Sequence, residues 1–142
     1  MHTMKQILDS KGRAKWSVAP GNTVFEAIQF MADKRVGALL VLDGEKLVGI
    51  ISERDYAREV ILKGRASKQT LVSEIMSSRV ISVRSENQVR DSLALMTKHH
   101  IRHLPVVDNG KVSGIVSIGD LVKDIISDQQ ETIEQLENYI RG

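Results

Sequence analysis

The sequence predicts an α+β fold. Two β-α-β-β-α repeats pack sheet to sheet with pseudo-twofold symmetry, and extra helices sit at the N- and C-termini. Three observations carry this expectation. The chain has 142 residues, enough for one compact domain or two very small halves. The motif GIISERD at Gly49–Asp55 returns as GIVSIGD at Gly114–Asp120, 65 residues later. Sliding Val18–Val60 onto Val83–Ile125 without a gap then sets Val18, Asn22, Val24, Met31, Leu39, Val41, Asp43, Lys46, Gly49, Ile50, Ser52 and Asp55 on identical residues. Similar residues fill most other positions: Ile28 with Leu93, Val36 with Ile101, Leu47 with Val112. An ungapped match of this length marks two copies of one unit.

Each element of the unit has its own signal. Thr23 and Glu26 form a T-x-x-E capping box, and Val24, Ala27, Ile28, Met31 and Ala32 recur at helical spacing. They predict a helix from about Thr23 to Lys34. ALLVLD and KLVGII read as two strands joined at DGE, since Asp-Gly between apolar runs is a hairpin signal. The second copy uses DNG at Asp108–Gly110. After Ile51 a helical pattern resumes with Tyr56, Ala57, Val60 and Ile61. A short strand is expected before the first helix of each copy, near Trp16–Val18 and Ile81–Val83. A sheet with helices on one face cannot cover its other face alone, so two copies should pair. Residues 1–69 would then hold the first repeat with an N-terminal segment, 70–127 the second, and 128–142 a C-terminal helix. In that last stretch Leu121, Ile125, Ile133, Leu136 and Ile140 supply an apolar side, which either closes the module's own core or meets a partner.

Composition narrows the functional classes. Hydrophobic residues make up 42% and charged residues 27%, the balance of a soluble globular protein. The formal net charge of +2 is too small to argue for nucleic acid. The basic clusters Ser10–Lys15 and Lys63–Lys68 read as solvated loops, with phosphate contact the alternative. There is no cysteine, hence no disulfide framework and no thiolate metal site. A cytoplasmic location is the expectation. The N-terminal MHTMKQILDSKGRAK shows no apolar signal region. The longest apolar run, Val36–Leu42, falls far short of the ~20 residues of a membrane helix.

The repeated motif has two readings. Serine followed three residues later by aspartate is a capping box, so Ser52/Asp55 and Ser117/Asp120 could simply start helices, with Gly49 and Gly114 allowing close packing or a bulge. Yet a strand running straight into a helix also presents free N–H groups and the positive end of the helix dipole. A carboxylate there would repel phosphate but can accept two hydrogen bonds from a vicinal diol. Serine and backbone for phosphate with aspartate for ribose suggests a nucleotide, and two copies suggest two clefts.

On GIISERD and GIVSIGD, the strands VGALLVLDGEKLVGI and IRHLPVVDNGKVSGI, and the helix VRDSLALMTKHHIRHLPV, the chain resembles a tandem pair of cystathionine-β-synthase (CBS) domains, the Bateman module. The resemblance covers nearly the whole sequence. It implies a regulatory module, usually a homodimer, that binds an adenine nucleotide (AMP, ADP or ATP, sometimes NAD(H) or S-adenosylmethionine) and is not an enzyme. It further implies that Asp120 and Asp55 hold ribose, with Ser117 and Ser52 near ribose or phosphate. The Asp120 cleft, with Ile118 and Gly119 at its floor, would be walled by Lys15, Trp16, Val36, Gly37 and Ala38, with Arg102 and His103 near the phosphates. The Asp55 cleft would use Val80, Ile81, Ile101, Arg102 and His103, with Arg54 and Arg58 as phosphate contacts. Trp16 is a candidate for stacking on adenine; an edge-strand core position is the alternative. Gly119 leaves room over the helix start where the first copy has bulkier residues, which ranks the Asp120 cleft first.

Other chemistries find less support. His99 and His103 stand at i,i+4, but the helix should end near Ile101, and no further carboxylate or thiolate ligand is evident, so no metal is expected. Neither serine lies in a G-x-S-x-G elbow, and G-x-G-x-x-G and P-loop patterns are absent. The rival functions are a ligand-free dimerisation scaffold and a nucleic-acid-associated regulator.

Overall fold

The computed structural model describes residues 2–141. By packing, the chain divides into two compact units. One comprises Ala14–Ile81 with the hairpin tip Asn109–Val112; the other comprises Met1–Arg13, Ser82–Asp108 and Ser113–Gly142. This division departs from a boundary at 69/70. Residues 70–81 pack in the same unit as the first repeat because Val24 N–H donates to Thr70 O at 2.8 Å and Ile50 exchanges backbone bonds with Ser77 at 2.9 and 3.0 Å. The N-terminal segment belongs with the second repeat because Met4 N–H donates to Asn87 O at 2.8 Å and Lys5 N–H to Ser85 O at 2.9 Å.

The Ala14–Ile81 unit carries a three-stranded sheet. Strand β1 (Ser17–Val18) runs parallel to β2 (Ala38–Asp43), which pairs antiparallel with β3 (Lys46–Ser52). Helix α2 (Val24–Lys34) starts at the Thr23/Glu26 capping box, as its sequence dictates. It ends at Arg35 in the left-handed conformation. The register shifts between Val41 and Leu42, next to Gly49. A Cβ on Gly49 would lie 2.6 Å from Met76 Sδ and 3.0 Å from the Ser77 carbonyl, so the glycine marks a close approach. Beyond β3, α3 (Glu53–Tyr56) passes directly into a π-helical turn, Ala57–Ile61. Val60 is buried there, but Ile61 is 56% exposed and stands outside the core. The short helix α4 (Val72–Ile75) was not anticipated from the sequence. Val24, Ala27, Met31, Leu39, Val41, Ile51, Val60, Val72 and Ile75 form the buried cluster.

The other unit repeats the plan with changes. Helix α5 (Val89–His99) precedes β4 (His103–Asp108), and β4 forms a two-stranded sheet with β5 (Lys111–Ser117). The expected strand near Ile81–Val83 is reduced to one parallel bridge, Val83 with Val106. The reason is local. Leu40 N–H donates to Trp16 O at 3.2 Å in the first repeat, whereas its counterpart Pro105 has no N–H with which to extend the ladder ahead of Val83, and Ser85 N–H turns to Asp108 Oδ1 at 3.0 Å. Asp108 also accepts bonds from the Ser85 and Ser113 hydroxyls, and these hold its carboxyl below the usual range. The Asn109-Gly110 turn has positive φ at both residues, 52° and 77°, as a type I′ hairpin requires.

Two further helices complete this unit. Helix α1 (Met4–Lys11) is capped by Thr3 and buries Met4, Ile7 and Leu8. A Cβ on Gly114 would meet Leu8 Cδ2 at 2.7 Å, which explains this glycine as Met76 explains Gly49. Helix α6 (Ile118–Arg141) is continuous for 24 residues. Leu121 is its one fully buried residue, whereas Ile133, Leu136 and Ile140 are 54%, 57% and 81% exposed. The apolar side of the C-terminal segment therefore does not close the module's own core.

Candidate functional site

Both repeats build the same strand-to-helix junction. In the first, Glu53 N–H donates to Gly37 O at 3.0 Å; in the second, Ile118 N–H donates to Arg102 O at 2.8 Å. These bonds hold the start of each helix against the entry of the hairpin's first strand, β2 or β4. Ser52 N–H donates to Asp55 Oδ2 at 2.8 Å and Asp55 N–H to Ser52 Oγ at 3.2 Å. Ser117 and Asp120 match them at 2.8 and 3.1 Å. Both capping boxes are thus formed. Their bonds to the carboxylates fall on Oδ2, leaving Oδ1 outside the cap. A Cβ on Gly119 would touch only Ser117 Oγ, at 3.6 Å, so the space above the α6 start is open.

The two carboxylates differ in charge environment. Asp120 has a counter-ion: Lys11 Nζ donates to its Oδ2 at 2.6 Å and to Ile115 O at 3.0 Å. Burial pushes the Asp120 carboxyl up, but the Lys11 ammonium and the Ser117 N–H outweigh it and hold the group below the usual range. Its contribution to stability is therefore present above the ordinary carboxylate pKa and is lost as pH falls through the lowered value. Asp55 is the reverse. Burial dominates and raises it, against the Ser52 bonds and the Arg58 charge. Its contribution is present at low pH and is lost as pH rises through the raised value. His103 lies in the field of Asp120, Lys11 and Arg102, and its imidazole is pushed down, chiefly by desolvation. At neutral pH it offers a hydrogen bond rather than a charge.

The remaining expected residues distribute by unit. Ile101, Arg102, His103, Ser117, Ile118, Gly119 and Asp120 all lie in one unit. Lys15, Trp16, Val36, Gly37, Ala38, Ser52, Arg54, Asp55, Arg58, Val80 and Ile81 all lie in the other. Trp16 is 37% exposed, meets Phe30 edge to face at 6.0 Å and carries Lys34 Nζ 4.4 Å from its ring centroid. It is a half-open aromatic surface rather than a core residue. Ala38 is buried and belongs to the floor of the sheet. His99 and His103 do not share a helix face, because α5 stops at His99 and His100 turns left-handed at φ 53°. His2 Nδ1 instead lies 2.6 Å from Asp124 Oδ1, within hydrogen-bond distance, and 3.6 Å from Asp128 Oδ1, a polar cluster that joins His2 to α6. Neither this cluster nor Lys11 was legible in the sequence. Their partners lie more than a hundred residues away.

The CBS-domain family profile matches residues 15–62 and 72–127, one segment per repeat. The chain belongs to the CBS-domain family. A mitochondrial CBS domain-containing protein of Arabidopsis thaliana is 37% identical over 99% of this chain and 72% of its own length. Other Arabidopsis relatives are much longer, and this chain spans 24% of one that is 37% identical. A protein with CBS domains from Burkholderia ambifaria is 49% identical with a TM-score of 0.86, covering 89% of this chain and 96% of that one. Two solved CBS proteins carry ligands. A CBS domain pair in complex with 5′-methylthioadenosine and S-adenosylmethionine is 27% identical, with TM-score 0.79 over 90% of this chain and 98% of that one. A Pyrobaculum aerophilum CBS domain protein complexed with AMP is 27% identical, with TM-score 0.75 over 83% and 88%. Among the described residues of the present CBS protein, no helix is long and apolar enough to cross a membrane.

Proposed function

We propose that this CBS-domain protein is a regulatory, non-catalytic sensor of an adenine nucleotide, with AMP, ADP or ATP preferred and NAD(H) or S-adenosylmethionine as further candidates. The observation that carries the reading is the duplicated junction, in which an ionisable carboxylate keeps Oδ1 clear of its own cap at the mouth of a helix. Asp120 would hold the ribose diol, with Ser117, Ile118 and Gly119 at the floor and Arg102 and His103 toward phosphate. Asp55 would do the same with Ser52, Arg54, Arg58, Val80 and Ile81. The ligand acts by population shift, favouring one arrangement only by its differential affinity for that state. The adenosine compounds bound to two structural relatives support the ligand class. Calorimetric titration of the stripped protein with AMP, ATP, NAD, NADH and S-adenosylmethionine tests it. Saturable binding by one identifies the signal. Binding by none, with the fold intact, leaves a dimerisation scaffold whose Ser/Asp pairs are only helix caps.

The homodimer belongs to the same proposal. Val122, Ile126, Ile133, Leu136 and Ile140 on α6 are all exposed and recur at alternating spacings of three and four, with Gln129 filling the one gap. An antiparallel second copy would set Ile126 on Leu136, Val122 on Ile140 and Gln129 on Ile133. It would also place Lys123 opposite Glu137 twice, a charge match that a parallel pairing lacks. Sedimentation of the full chain is expected to show a dimer that Ile133→Asp dissociates. Lys123→Glu should weaken it several-fold, and Lys123→Glu with Glu137→Lys should restore it. A monomeric wild type, or a double variant weaker than either single one, rejects this arrangement.

A further inference from the structure

We infer that Lys11 makes the Asp120 site select phosphorylated over neutral nucleosides; this rests on the reading of Asp120 as the ribose-binding carboxylate. Lys11 ends α1, and its ammonium sits on Asp120 Oδ2 at 2.6 Å, where the Ser117 N–H also donates at 2.8 Å. Two donors occupy the lone pairs of that oxygen. A vicinal diol that engages both carboxylate oxygens must therefore take the place of Lys11. The lysine can leave without disturbing its helix. Its side chain is 35% exposed on a flexible stem, while α1 is anchored elsewhere by the Thr3 cap and by buried Met4, Ile7 and Leu8.

Displacement has an electrostatic cost that only some ligands return. Once off Asp120, the ammonium shares its surroundings with Arg102, and the nearby His103 is held neutral by burial. A neutral nucleoside takes the carboxylate and supplies no anion in exchange. A 5′-phosphate supplies one, and the freed ammonium can pair with it. The displacement cost is common to both ligands, whereas its recovery belongs to the phosphorylated one, so Lys11 acts on the ratio of affinities. The other repeat is the internal contrast. Among the described residues Asp55 has no lysine in ion-pair range, and its cap bonds come from Ser52 alone.

The test compares AMP with adenosine by calorimetry on the wild type, Lys11→Met and Lys11→Arg, with thermal unfolding as a check on the fold. In Lys11→Met, AMP affinity should fall about tenfold while adenosine affinity holds or rises, so the AMP:adenosine ratio drops at least tenfold. Lys11→Arg should keep most of that ratio. Equal changes for both ligands, or an unchanged ratio, overturn the inference while leaving the Asp120 reading standing. A wild type that binds neither compound overturns that reading, and the inference with it.

Discussion

Asp120→Ala should weaken nucleotide binding by roughly ten- to a hundredfold or more, because hydrogen bonds to a charged group contribute about 1.5–3 kcal/mol and 1.4 kcal/mol is a factor of ten. The variant is informative because the carboxylate is not needed to start α6. Ser117 still supplies its Oγ to the position-120 N–H, the cap bond that measures 3.1 Å in the wild type. What disappears is the return bond to Ser117 N–H and the Lys11 ion pair. Both are partly solvated, and a half-exposed ion pair stabilises little. Thermal unfolding should therefore shift by a few degrees at most, while calorimetry registers the lost affinity. Unchanged affinity would remove Asp120 from the site. Asp55→Ala is the companion experiment. Its carboxylate is raised by burial and lacks a lysine, so truncation relieves a desolvation cost, and the fold should tolerate it at least as well.

Leu39→Ala should lower stability by about 2–5 kcal/mol, the range for deleting a large side chain from a packed core. Leu39 is fully buried among Val24, Met31, Val41, Ile51 and Val72. Leu104, its counterpart 65 residues later, is also fully buried and should respond by a similar amount. Leu136→Ala on the exposed part of α6 is the contrast: its side chain is 57% exposed, and the unfolding midpoint of the dissociated chain should move little. Chemical denaturation of the three variants checks the set. A Leu39→Ala effect as small as that of Leu136→Ala would contradict the core described here.

Much of the architecture was legible because its causes are local. The Thr23/Glu26 and Ser52/Asp55 boxes act over three residues, and both formed as their spacing required. The strands at Ala38–Asp43 and Lys46–Ser52, and the Asn109-Gly110 turn, follow from short runs of apolar residues and from φ preferences. The duplication extended these inferences to the second copy, and it also exposed where copying fails. Val83 has the residue of a strand, but Pro105 stands where the first repeat has Leu40 and has no N–H to continue the ladder, so the strand shrinks to a bridge.

What the sequence by itself determined, then, is the repeated unit, its helices and hairpins, and the two serine–aspartate junctions that mark the family. Only the tertiary structure decided which residues surround those junctions. Lys11 meets Asp120 across 109 positions, and His2 meets Asp124 across 122. Gly114 is required by Leu8 of α1, from the far end of the sequence. Ile133, Leu136 and Ile140 are left uncovered because α6 runs on past the last side chain that packs beneath it. Spacing along a chain fixes local hydrogen bonds. The charge on a carboxylate and the exposure of a helix face depend on atoms that folding brings in from elsewhere, and no local pattern encodes their arrival.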